Sequence, residues 1–400
     1  MARVKSPLAR LVHLASHGTP PDRETAQRIS VGLGSTMERF DSEVFPYLGA
    51  GGTEIQFVYG ANGRGKTHYL LSVEEAARRR GFVTARIDCP TGASPFSSLR
   101  STFEMIATSL QPPPDVDLNG TIGLPAIIKG AFSADRQYLP AAVVAGLKAA
   151  KDISPEFRNL VIAYGLGCQG DTLSTKMAED LESLLIGSST RSVTIGALLK
   201  ADKNLPKPLG RITSRNAANW LRSLLSLPAA LGYPGVVIMF DETERAFHQL
   251  RPAVLQTQLA HLRNIVDYCA MGAFGGCLIL YAAAEDFVDL ARKHLEALAQ
   301  RIEPPTLLSG DFPSSIRSVW TDLDDITSPH TNEPDFFKAL AEKILQLGAE
   351  LGMTESVAGR LRPTLAADAA RFASSPTSSI VREFVKKTAT AVLLEVRRHG

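Results

Sequence analysis

Two kinds of apolar pattern alternate along the chain. Short, mostly apolar runs occur at Glu54 to Gly60 (EIQFVYG), Phe82 to Cys89 (FVTARIDC), Val236 to Phe240 (VVIMF) and Cys277 to Ala284 (CLILYAAA). Their length and their β-branched and aromatic content predict strands, and the continuous runs VVIMF and CLILYAAA suit strands buried on both faces, as in a parallel sheet flanked by helices. Elsewhere apolar residues recur at helical spacing. Thr67 to Arg80 carries Leu70, Leu71, Val73, Ala76 and Ala77 and stops at Gly81, and Ser98 to Leu110, Thr175 to Leu185 and Ala217 to Leu231 are helix-like too. Residues 23 to 50 open polar, pass through ISVGL (Ile29 to Leu33) and end in the loop GAGGT (Gly49 to Thr53). From about 95 to 230 no alternating pattern holds and PPPDVD breaks the chain after Gln111, so a mainly helical insertion is expected there. Beyond Pro313 the pattern is helical to the end, most clearly in EPDFFKALAEKILQLGAELG and SSIVREFVKKTATAVLLEVRR.

One junction carries chemistry. Between the first strand and its helix lies Gly60-Ala61-Asn62-Gly63-Arg64-Gly65-Lys66-Thr67-His68, and Gly60 to Thr67 fits G-x-x-x-x-G-K-[ST] in full. The spacing answers a physical demand: successive backbone N–H groups must turn inward around an anion, which side chains at the tight positions would obstruct. Lys66 is expected to reach the β- and γ-phosphates and Thr67 to place its hydroxyl on Mg²⁺, while the helix N-terminus faces the same charge. The whole run Gly60 to His68 is expected to bind the cofactor, with the Arg64 and His68 side chains expected to meet solvent or packing rather than take part in catalysis. The metal partner is supplied by VVIMFDE, whose apolar strand delivers Asp241 at its carboxyl end, where open α/β sheets place ligands. Glu242 follows as the residue that orients and activates a water, which favours hydrolysis over phosphoryl transfer to a small molecule. ATP and Mg²⁺ are therefore the expected cofactors.

Composition narrows the setting. With 400 residues, 44% hydrophobic and 21% charged, the chain can bury a large core. Lys+Arg number 43 against 41 Asp+Glu, a net charge of +2, so no global field holds the protein on nucleic acid and any DNA contact is local. Lys5, Arg10 and His13 interrupt the first apolar stretch, and the longest apolar runs fall short of the roughly 20 residues a membrane span needs, so a cytoplasmic protein with no membrane contact is expected. Cys89, Cys168, Cys269 and Cys277 form no CxxC pair and are expected to be reduced thiols.

The chain resembles AAA+ P-loop ATPases of the origin-recognition type and, more narrowly, is similar to the ATP-binding proteins of BREX phage-defence systems. The likeness rests on GTPPDRETAQRISVGL, FVYGANGRGKTHYLLSVEEAARRRGFVTARIDC and ALGYPGVVIMFDETERAF. It implies an α/β, ASCE-type sheet flanked by helices: an N-terminal helical segment over 1–24, an ATPase core over 25–312 with the helical insertion, and a C-terminal helical lid over 313–400. It also places Val31 and Gly32 against the adenine, where a hydrophobic staple into a helix is the alternative. Arg301 becomes an arginine that reaches a neighbouring subunit's γ-phosphate, and Arg382 a lid arginine, with surface helix positions as the bland reading of both. Where such ATPases place a polar residue at the end of the neighbouring strand, this chain has alanines in YAAAEDF, with Glu285 as a substitute.

The implied activity is an ATP-driven switch or motor in a defence complex. It would act as a homo-oligomer on double-stranded DNA without sequence preference, beside a helicase or methyltransferase partner. Loops around Arg78-Arg79-Arg80 or the insertion would touch DNA. The alternatives are a non-hydrolysing ATP-bound scaffold that recruits such a partner, and a small-molecule P-loop kinase.

Overall fold

The computed structural model describes residues 7–17, 21–60, 63, 65–89, 94–116, 120–133, 140–188, 195–247, 250–303, 320–323, 334–374 and 380–399, and the statements below concern these residues. Ala61, Asn62 and Arg64 of the glycine loop lie outside them.

Six strands make one sheet: β1 (Thr53–Tyr59), β2 (Val83–Asp88), β3 (Leu110–Gln111), β4 (Val236–Asp241), β5 (Cys277–Ala283) and β6 (Trp320–Asp322), in the order β3-β2-β4-β5-β1-β6. All neighbours are parallel except the short β3, which is antiparallel to β2. The register aligns Tyr59 with Ala283 and Asp88 with Asp241, so the carboxyl ends of the four long strands share one edge of the sheet. β5 separates the strand entering the glycine loop from the strand ending in Asp241.

Alternation along the strands explains why these runs must be strands. Ile238, Phe240, Ile279, Tyr281, Phe57 and Tyr59 enter a core on one face, and Val58, Val237, Met239, Leu278, Leu280 and Ala282 enter a core on the other. The second face is covered by α5 (Lys66–Arg79) through Tyr69, Leu70, Val73 and Ala77, and by Phe40, Phe45 and Leu48 from the segment before β1. The first face is covered by α6 (Leu99–Ser109), α12 (Ala217–Ala230) and α14 (Pro252–Ala270). α6 starts at Ser98, whose hydroxyl accepts from Ser101 N–H at 3.0 Å.

The strands β4 and β5 begin side by side because two glycines allow it. Gly235 has φ 153°, and a Cβ there would stand 2.2 Å from the Gly276 carbonyl oxygen. The Val236 N–H donates to that same oxygen at 2.8 Å. This contact gives a physical reason for the Gly-Tyr-x-Gly turn ahead of VVIMFDE.

The middle of the chain is helical: α7 (Leu124–Phe132), α8 (Pro140–Ala149), α9 (Pro155–Gln169), α10 (Thr175–Leu185) and α11 (Ile195–Ala201) stand between α6 and α12. Their Phe132, Phe157, Tyr164 and Leu181 belong to the same core as the sheet's first face, so the insertion is fused to the sheet.

The two-residue β3 interrupts that helical stretch, and β6 interrupts the region expected to be helical beyond Pro313, a correction with a physical cause. A strand of two or three residues shows no period of its own; β6 exists by pairing with Phe57 to Tyr59 on the outer edge of β1.

A third apolar cluster is separate. It joins α17 (Pro334–Ala349), α18 (Glu355–Ala373) and α19 (Ile380–His399) to α1 (Pro7–Ser16) through Leu8 and Leu11, and to Ile29 at the end of α2 (Arg23–Arg28). An Arg28–Glu350 ion pair reinforces the α2 side. No described helix is long and apolar enough to cross a membrane. The four cysteines are free, with Cys89, Cys269 and Cys277 buried and Cys168 half-buried.

Candidate functional site

The glycine loop leaves β1 at Gly60 and enters α5 through Gly63 (φ 86°) and Gly65 (φ 100°), both in the left-handed region that glycine adopts without strain. Around Gly65 the nearest atom to an added Cβ is the His68 Cβ at 4.0 Å, so the turn is open on that side. Lys66 is buried, and its Nζ donates to the Gly60 carbonyl at 2.6 Å, folding the side chain back over its own loop. An ammonium held by a neutral carbonyl in a glycine cradle is well placed to exchange that partner for a phosphate oxygen.

Across the sheet edge, Thr67 at the start of α5 meets Asp241 at the end of β4, the hydroxyl hydrogen-bonding to the carboxylate. Asp241 is 2% exposed. Burial pushes its carboxyl above the usual carboxylate range, while the Thr67 hydroxyl and the Glu242 amide, 2.9 Å from Oδ1, pull it back; Asp88 on the neighbouring strand raises it further and Arg86 opposes. Hydroxyl and carboxylate oxygens are the donors a Mg²⁺ ion takes, and such an ion draws its remaining ligands from phosphate and water. The described residues hold no cluster of three or more His, Cys, Asp or Glu side chains fit for a self-sufficient metal cage.

Glu242 is one of two described non-glycine residues with positive φ, at 52°. Such a conformation costs on the order of 1 kcal/mol and persists where surroundings enforce it. Here the Glu242 amide is tied to Asp241, its carbonyl accepts from Arg245 N–H at 3.0 Å, and its Oε2 lies 3.3 Å from Arg245 Nε. The turn separates the two acids, leaving Asp241 buried and the Glu242 side chain 37% exposed. Thr243 is buried and its hydroxyl donates to the Ala282 carbonyl, tying this turn to the end of β5. β5 stops at Ala283, and Glu285 beyond it is exposed. Desolvation lowers the imidazole of the partly buried His68 to about 4, so it is neutral near pH 7 and brings no charge to the loop.

The remaining sequence-derived candidates are spread out. Val31 is half-buried against the cluster of C-terminal helices and Gly32 turns with φ 81°, so this pair stands where the α2 segment meets those helices. Arg301, in α16 (Glu296–Ile302), is bound within its own chain: Nε donates to Asp267 of α14 and a terminal nitrogen to the Ala297 carbonyl. Arg263 shares Asp267 at 3.5 Å. Arg382 is exposed on α19. The arginine triplet faces three ways. Arg78 donates to the Pro112 carbonyl at 2.7 Å, Arg79 pairs with Glu75 at 3.0 Å, and Arg80 pairs with Asp41 at 2.7 Å while lying over the Phe45 ring.

Sequence reasoning missed Arg245, Asp88 and Asp267 as neighbours of these groups. Asp88 had a readable signal, an acid ending the apolar run FVTARID beside the strand of Asp241. The pairing of Arg245 with Glu242 depends on the backbone turn, which no local pattern announces.

No curated protein and no solved structure matches the chain. A family model described as "BREX system ATP-binding protein BrxC/D" matches residues 9–112 and 201–396, spanning the glycine loop, the strand that ends in Asp241 and the C-terminal helices, and passing over most of the insertion. With most of its length matched, the chain belongs to the family of BREX system ATP-binding proteins BrxC/D.

Proposed function

We propose that this protein is an AAA+ type, Mg²⁺-dependent ATPase that works as a switch or motor of a BREX-type defence complex in the cytoplasm. The observation that carries the reading is the contact between Thr67 and Asp241, which joins the glycine loop to the acidic strand across β5. Lys66 would leave the Gly60 carbonyl for the β- and γ-phosphate oxygens. Thr67 and Asp241 would hold Mg²⁺, which supplies charge neutralisation at the phosphates. Glu242, turned out of the core and beside the same edge, would take the proton of the attacking water. Val31 and Gly32 would line the base, and the region 313–400, which includes α17–α19, would act as the lid, with Arg382 on it.

Arg301 would complete the site of a second copy in a homo-oligomer, after exchanging Asp267 for a phosphate. Double-stranded DNA, bound without sequence preference, and a helicase or methyltransferase of the same system are the proposed partners.

The non-hydrolysing scaffold keeps two observations in its favour: β5 ends in alanines, and the Glu242 carboxylate is engaged by Arg245.

Steady-state ATP hydrolysis across a protein concentration series, with and without duplex DNA, separates the two. A rate that rises faster than linearly with protein, falls about 10²-fold or more in Glu242→Gln, and disappears in Lys66→Ala supports the ATPase. Tight ATP binding that only Lys66→Ala removes, with no turnover under any condition, establishes the scaffold.

A further inference from the structure

Beside α2, the last turn of α5 and the chain that follows β3 lies a cavity of about 510 Å³. It is not the glycine loop. Arg78 stands twelve residues along α5 from Lys66, about 18 Å at the rise of an α-helix.

Arg23 and Arg78 form one wall, and Pro112, Pro113 and Ile122 line the cavity with them. Arg23 donates to Glu74 at 2.8 Å and Arg78 to the Pro112 carbonyl at 2.7 Å. A guanidinium carries five N–H donors, so each of these described bonds leaves most of its fork unused. Glu74 is 2% exposed, and the charges of Arg23, Arg86 and Arg78 all bear on it, Arg86 being also 4.0 Å from Asp88. Nearby Glu75 is already paired with Arg79. Burial, and then the charge of Arg23, lower the pKa of Arg78, while Glu74 and Glu75 oppose them.

We propose that this cavity binds a nucleoside 5′-phosphate, with the phosphate between Arg23 and Arg78 and the nucleoside against the proline and Ile122 surface. Planar guanidinium forks match phosphate oxygens in pairs. Ile122, 57% exposed at the cavity, and the prolines supply the apolar contact that a base or sugar covers. The volume falls in the range of small-molecule sites. A free nucleotide and the 5′-phosphorylated end of a nucleic-acid strand present the same chemistry. The site also has a mechanical connection: α2 starts at Arg23 and reaches the C-terminal helices through Ile29 and Arg28. A ligand that fixes Arg23 against Arg78 would therefore fix α2 between the sheet and those helices.

The test uses full-length Lys66→Ala protein, which removes the lysine of the glycine loop. AMP and adenosine are titrated by calorimetry, and 5′-phosphorylated and 5′-hydroxyl DNA oligonucleotides by fluorescence anisotropy. Saturable binding that requires the phosphate, in either arm, and weakens at least tenfold in Arg78→Gln is the expected result; the tighter arm identifies the source. Arg78→Gln is preferred to a change at Arg23 because it does not strand the buried Glu74. Ile122→Trp, which fills the cavity and leaves both arginines in place, should weaken binding as well. Absence of phosphate-dependent binding up to about millimolar ligand, or affinity unchanged by both substitutions, overturns the proposal.

Discussion

Asp241 sits against Thr67 at an electrostatic cost. Burial disfavours the charged carboxylate, so Asp241 has a raised folded-state pKa and withholds stability at pH values above it. Asp241→Asn should raise the melting temperature of the nucleotide-free protein at pH 7, while abolishing Mg²⁺-dependent ATP binding. The gain should shrink as the pH falls to where Asp241 is itself protonated. Calorimetric melting of both proteins at pH 5 and 7 measures this, and an unchanged or lower melting temperature contradicts it.

His68 runs the other way. Its folded pKa of about 4 lies below the ordinary 6.5, so the unfolded chain takes up the proton first. The stability it contributes is complete above the ordinary value and is lost as the pH falls from about 6.5 to about 4. His68→Gln, which cannot titrate, should flatten the fall in melting temperature across that window. At this scale the sequence announced Asp241 at the carboxyl end of an apolar strand and a helix starting at Lys66, and the structure has both. It was silent where geometry came from elsewhere: the Glu242–Arg245 pair needs the left-handed turn, and the Arg301–Asp267 pair joins two helices.

Among the elements, the strands buried on both faces were readable to within a residue or two, because burial forces continuous apolar runs of strand length. β4 and β5 are the clearest cases. β6 was not readable, since its three residues gain their conformation from the edge of β1. The start of β4 tests how much one backbone contact matters. Gly235→Ala would drive a methyl group into the Gly276 carbonyl and should destabilise the protein by about 1–3 kcal/mol. Urea unfolding followed by circular dichroism measures it, and a shift within error would mean that the β4–β5 start can slide apart freely.

Among the described residues one core runs through the sheet's first face and the insertion, a second lies under α5, and a third joins α1 to α17–α19. Helical periodicity foretold the C-terminal helices but not their partner, because contact between distant segments leaves no local period. If α1 belongs to that third core energetically, Leu11→Ala, at a side chain 1% exposed, should destabilise it by about 2–5 kcal/mol. Hydrogen exchange should then quicken in α17 and α19 while β4 and β5 keep their protection. Uniform loss of protection across both regions would show a single cooperative unit instead.

The packing of α1 on α19 also sets an order in time. A ribosome delivers α1 before the sheet and α19 after it, so the sheet and its flanking helices can close while Leu8 and Leu11 still lack their cover. During that interval the nascent chain carries an uncovered apolar stripe that a chaperone must shield or the protein must tolerate.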